Sequence, residues 1–230
     1  MVLPQEAKIA YLTGEMLFFG LLGKLLYADL DKTWLQHLVE EDVFAETPFG
    51  EKNTDITHGL EFLQAWSRNN MDGISKEHFE DLLAEYTNLF AGGKVLAAPW
   101  ESVYFGDDRL IFQEQTLEVR SWYKRFDLES EKIHREPDDH IGLEMLFLSH
   151  LASLGAQALT EQDNNRAEEL VNAQREFMKE HLGVWALTWC DLVERHARTD
   201  FYRGLVYLTR GAVCELAEAL DVQLLNEVVQ

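Results

Sequence analysis

A chain of 230 residues with 47% hydrophobic and 11% aromatic side chains has the apolar material for a sizeable core, which excludes a disordered tail. Its 41 Asp and Glu outnumber 20 Lys and Arg, leaving a net charge of −21 with no basic island. That sign argues against nucleic acid and anionic membrane surfaces as partners and would steer a cationic partner inward, although most such charges simply keep a protein soluble.

From the N-terminus, Met1 to Lys8 lacks the basic region and cleavage site of a secretory leader, so the chain is expected in the cytoplasm. The apolar run Met16 to Tyr27, broken by Lys24, falls short of a membrane crossing and predicts a buried helix rather than membrane insertion. Helical spacing continues over about 6–28, 32–40, 57–70, 76–90, 114–126, 163–181, 184–197 and 200–221. Ser75 and Thr199 are placed to cap two of these. The clearest stripe is Ile141, Met145, Leu148, Ala152 and Gly155, all on one helical face. Ser102–Phe105 and Leu110–Phe112 are strand-like but too short to found a sheet. The expected fold is all-α, one helical bundle over residues 1–230, with room for a smaller C-terminal helical subdomain.

Two irregular segments, 91–113 and 127–137, interrupt the helices. The first carries Trp100 and Tyr104 after a Gly92-Gly93 break. Either this loop folds back to cap the core, or its aromatics line a groove for a partner. The second leads into Glu136-Pro137-Asp138-Asp139-His140 and on to Glu144. Proline and acidic groups suit a helix's first turn, which accounts for Pro137, Asp138 and Asp139. His140 falls one helical turn before Glu144, as either a core pair or a functional one.

A metal-dependent enzyme is the sharper alternative, because His134, Asp138, Asp139, His140 and Glu144 lie close in sequence. The spacing is wrong for it: Glu-x-x-His occurs once, at Glu131 and His134, and no His-Glu-x-x-His is present. Cys190 and Cys214 form no CxxC, no Gly-x-Ser-x-Gly elbow occurs, and Gly92-Gly93-Lys94 is a turn rather than a phosphate cradle. No metal, nucleotide or other cofactor is expected, and the chain reads as a non-enzyme.

Taken together, the two segments resemble the TorD/DmsD family of cytoplasmic redox-enzyme maturation chaperones. Tyr86-Thr87-Asn88-Leu89-Phe90, then Ala98-Pro99-Trp100-Glu101-Ser102-Val103-Tyr104, is similar to that family's aromatic-x-x-Leu-Phe and Pro-Pro-Trp-Glu-Ser-Val-Tyr elements. Glu136-Pro137-Asp138-Asp139-His140 matches its Glu-Pro-x-Asp-His signature. The similarity covers roughly 75–220 and leaves 29–74 without a matching motif. Ala98 replaces the first of two prolines, and Gly93 stands where a proline often follows.

The resemblance implies an all-helical chaperone that holds the twin-arginine signal peptide, and the folded part, of a molybdopterin-containing reductase precursor until cofactor insertion is complete. In that picture Tyr86, Leu89, Phe90, Pro99, Trp100 and Tyr104 accept the leader's apolar segment, although Leu89 and Phe90 fit a core equally well. Glu136, Asp138 and Asp139 attract the arginines, Pro137 belongs to the same binding motif, and His140 orients a carboxylate or closes the groove. Long amphipathic helices are also compatible with a homodimer formed by helix exchange.

Overall fold

The computed structural model describes residues 4–105, 110–129 and 136–225. Helix α1 (Gln5–Tyr27) starts behind Pro4, whose carbonyl accepts from Lys8 N at 3.1 Å. Short helix α2 (Lys32–Glu40) is capped by Asp31, and α3 (Thr54–Asn69) by Asn53, whose side chain accepts from Asp55 N and Ile56 N. The Asn53 cap moves the start of α3 ahead of the residue that apolar spacing suggests. Ser75 opens α4 (Lys76–Tyr86) by accepting from His78 N at 3.0 Å. The expected helix over 76–90 ends early: Thr87–Ala91 forms a wider π turn.

The strand-like Ser102–Phe105 lies instead largely in a 3₁₀ turn, Glu101–Tyr104, and Phe112 takes a left-handed φ of 60° that ends any extended run there. Next come α5 (Glu114–Arg125), α6 (Ile141–Thr160), α7 (Asn164–Glu180), α8 (Leu182–His196) and α9 (Asp200–Leu220). Thr199 caps α9 as its position suggests. Among the described residues there is no strand ladder, and the fold is all-α. One continuous apolar core joins residues from Leu12 to Val222.

Two helix pairs organise that core, α1 against α6 and α3 against α9. Close approach explains both. A Cβ on Gly142 would sit 2.7 Å from Gly23 O, and one on Gly59 would sit 2.8 Å from Gly204 O, so neither crossing has room for a side chain. On α1 the buried face is Leu12, Phe18, Phe19, Leu22, Leu25 and Leu26; on α6 it is the stripe read from the sequence. By length and composition α1, which extends N-terminally of the apolar run, could cross a membrane, but half of the qualifying window is buried inside the protein. Helix α6 begins at Ile141, where the apolar stripe starts, not at Pro137: residues 138–139 form a turn, and an antiparallel bridge pairs Trp100 with His140, whose backbone is extended just before the helix.

Candidate functional site

The bridge joins the two irregular segments into one construction. Glu101 N donates to Asp139 O at 2.9 Å and Ile141 N to Pro99 O at 2.8 Å. Asp139, fully buried, accepts from Ser102 N and from Thr116 Oγ1, both at 2.7 Å. Asp138 is equally buried and accepts from Arg120 Nε and Nη2 at 2.7 Å, while its carbonyl accepts from the Tyr123 hydroxyl at 2.9 Å. These two carboxylates are therefore not anionic surface. They bind the 3₁₀ turn, α5 and the start of α6 together, because burying an ionised group requires such partners.

His140 caps α6 by accepting from Gly142 N with Nδ1 at 3.1 Å, and its carbonyl accepts from Glu144 N one turn on. Its ring stands edge-on to Tyr27 at 5.3 Å and to Trp100 at 6.2 Å. Pro137 and Pro99 are buried. The loop 91–100 folds back on the π turn, with Ala97 N donating to Leu89 O, and Ala97 is sealed beneath it. Leu89 and Phe90 are core residues, with Phe90 stacked on Trp189 at 5.7 Å and edge-on to Tyr202. Neither is available to a ligand at the surface, because the widened turn rotates both side chains inward.

What stays partly accessible is a smaller set: Tyr86, Trp100, Tyr104 and Glu136. Trp100 Nε1 donates to Glu136 Oε1 at 2.6 Å, fixing the indole beside a carboxylate. Tyr86 feels the same carboxylate: its hydroxyl is pushed above its ordinary range by burial and then by the charges of Glu136 and Asp29. Half-buried Tyr27 continues the face through His140. Tyr104 points elsewhere, its ring on Trp185 at 5.2 Å and its hydroxyl donating to Ala98 O at 2.8 Å. The arrangement offers aromatic surface with acidic groups beside it, the chemistry that takes a guanidinium by charge-assisted hydrogen bonds and by stacking.

Sequence reasoning gave Glu101, Asp29 and Tyr27 no role in this site and read Glu144 only as a partner of His140 or a metal ligand. Glu101 is 1% exposed and meets His181 Nδ1 at 3.0 Å across 80 residues of chain; Glu144 is fully buried and accepts from Trp185 Nε1. Asp29 and Tyr27 lay in or beside a stretch without a motif. Among the described residues no three His, Cys, Asp or Glu side chains are grouped to hold a metal ion, and Glu131 and His134 lie outside the described residues. The metal-enzyme alternative is not favoured.

A sequence model of the family described as nitrate reductase delta subunit matches residues 55–191. Among individual proteins, the chain is 28% identical over 137 residues to the probable Tat proofreading chaperone DmsD of Haemophilus influenzae, covering 59% of this chain and 60% of that protein. It is 29% identical over the same length to the Tat proofreading chaperone DmsD of Salmonella typhimurium. To the chaperone protein TorD of Aliivibrio fischeri it is 26% identical over 194 residues, 81% of this chain and 85% of that protein. The match spans about three fifths of the length of the two DmsD relatives.

Proposed function

The chain belongs to the nitrate reductase delta subunit family, which includes the TorD and DmsD chaperones, and from that premise we propose that it is a cytoplasmic chaperone for a redox-enzyme precursor. It binds the precursor's twin-arginine signal peptide and delays export until folding and molybdopterin insertion are complete. It is not an enzyme: the relatives it matches are named as chaperones, and its polar cluster is committed to holding the fold together.

The observation that carries this reading is the Trp100–Glu136 pair, an indole and a carboxylate joined at 2.6 Å, with the Glu136 charge also acting on Tyr86. A signal peptide with adjacent arginines followed by an apolar stretch meets both requirements, charge at Glu136 and Asp29 and flat apolar surface at Trp100, Tyr86 and Tyr27. The charge of −21 raises the encounter rate with such a basic segment.

Calorimetric titration of a synthetic twin-arginine leader tests the assignment. Binding to the native protein should weaken about tenfold or more in Glu136→Gln and in Trp100→Ala, since one charge-assisted hydrogen bond is worth roughly 1.5–3 kcal/mol. Replacing the paired arginines by glutamine in the peptide should have a comparable effect. Unaltered affinity in both protein variants would remove the site, and failure of the native protein to bind any such leader would remove the function.

A further inference from the structure

Directly beneath Trp100 lies a buried polar cluster that the peptide-binding reading does not use. Glu101 follows Trp100 in the chain and is 1% exposed; Glu144 on α6 and His181 between α7 and α8 are 0% and 2% exposed. Each belongs to a different element, so the cluster ties the 3₁₀ turn to three helices at once. His181 Nδ1 lies 3.0 Å from Glu101 Oε2 and 3.3 Å from Oε1, and a carboxylate accepts only, so that nitrogen carries the hydrogen. On the opposite side the Glu144 carboxyl group is within hydrogen-bonding reach of Glu101. Its Oε2 accepts from Trp185 Nε1, while Oε1 receives no N–H or O–H donor among the described residues.

Two carboxyl groups in contact inside the protein cannot both be ionised without repelling each other. A hydrogen on Glu144 removes the repulsion and supplies the donor that Glu101 lacks on that side. We propose that a proton held between Glu144 and Glu101, backed by His181, is the clasp that seats the Trp100 segment on the core, and that its loss in alkaline solution releases that segment. Glu101, Glu144 and His181 are then positioning residues for the aromatic and acidic face. Their effect on leader affinity rests on the function proposed above; the clasp itself does not.

Among the described residues, the titratable groups that act on the cluster add to the same picture. Asp139 from the loop presses on both glutamates; Glu118 on α5 acts on Glu101; and Tyr123 on α5 feels Glu144, Asp138, Asp139 and Glu101. The guanidinium of Arg120 is paired with Asp138 and is not part of the glutamate contact. Burial, followed by the charges of Glu101 and Asp139, holds the Glu144 carboxyl well above the ordinary carboxylate range. A raised carboxyl is protonated in the folded state over pH values at which the unfolded chain has already lost its proton. The clasp is therefore closed on the acid side and opens as pH rises through the folded value.

Amide hydrogen exchange between pH 6 and 9, corrected for intrinsic base catalysis, reads the clasp at Glu101 N and Ser102 N, both of which donate to Asp139. In the native protein their protection should fall at least tenfold across that range, while core amides of α9 change little. Glu144→Gln keeps a donor for Glu101 and an acceptor for Trp185 but cannot lose a proton, so its protection should stay constant within about threefold. Leader affinity should fall with pH in the native protein and not in Glu144→Gln, because the peptide's arginines stay charged throughout. Equal pH dependence in the two proteins overturns the clasp. If Glu144→Gln fails to fold, the native protein decides alone, since pH-independent protection at Ser102 also overturns it. A leader that binds at no pH defeats the proposed function without touching the exchange result.

Discussion

Glu15 offers the sharpest energetic test of how this core is built. It sits on the inner face of α1, fully buried, where Gln174 Nε2 on α7 donates to its Oε1, while its Oε2 and the nearby Tyr11 hydroxyl meet no partner among the described residues. Burial pushes its carboxyl up to about 8 from an ordinary value of 4.5, against the smaller opposing effect of Gln174. A raised acid contributes stability below about pH 4.5 and loses it as pH climbs to about 8, because the unfolded chain gains by ionising first. The isoelectric point of 4.6 makes solutions near that pH unsuitable, so the comparison runs from pH 5.5 to 8.5. About 2.5 pH units of that window remain, at about 1.36 kcal/mol each, so Glu15 should cost the native protein roughly 3 kcal/mol on alkalinisation. Glu15→Gln keeps the acceptor for Gln174 and has no proton to lose. Urea unfolding should therefore show the stability of the variant relative to the native protein rising by about 2–3 kcal/mol between pH 5.5 and pH 8.5. Water entering the site would reduce the difference; a rise below about 1 kcal/mol would refute the burial argument.

Phe90→Ala and Leu89→Ala should destabilise by about 3–5 and 2–5 kcal/mol in chemical denaturation, as core truncations do, with leader affinity of the folded protein unchanged; a stable Phe90→Ala protein with lost binding would contradict the inward placement. Gly142→Ala should cost about 1–3 kcal/mol, because its new methyl would lie 2.7 Å from Gly23 O and no backbone there can yield cheaply; an unaltered melting temperature would show that α1 and α6 are further apart. Asp139→Ala strands the donors Ser102 N and Thr116 Oγ1 and should cost about 2–5 kcal/mol. Asp139→Asn, which retains one acceptor, should cost measurably less, and equal losses would argue against those two hydrogen bonds.

The helices were legible because their signals are local. Periodic apolar residues located each of them, and Ser75 and Thr199 marked two starts through hydroxyls that accept from the third residue onward. Asn53 carried the same signal for α3 but stood ahead of the apolar pattern. The π turn at Thr87–Ala91 was hidden because its residues read as a continuing helix, and only tertiary contact with Trp189 and Tyr202 turns Phe90 inward. The acidic motif was found and its role misjudged: Pro137, Asp138 and Asp139 have the chemistry of a helix start. What commits both aspartates elsewhere is Ser102, Thr116, Arg120 and Tyr123, which lie 15 to 37 residues away. Glu101 with His181 is harder still, since nothing in either local sequence identifies the other.

The division of labour among these acids explains why a motif so rich in carboxylates leaves a modest binding surface. Two of its charges, Asp138 and Asp139, are buried and spent on anchoring the 3₁₀ turn and α5 to the start of α6, where losing a partner would leave an uncompensated group in a poorly solvating interior. Glu136 is the motif's carboxylate that reaches solvent, and it does so held rigidly by Trp100. A rigid carboxylate loses little freedom on binding, which favours one well-placed contact over several mobile ones. Two adjacent arginines need a second anion. The charge that shares the Tyr86 field with Glu136 is Asp29, just beyond the end of α1, in the stretch that matches no family motif. Under the proposed function, recognition of the arginine pair divides between Glu136, fixed by the motif, and Asp29, just past the end of α1.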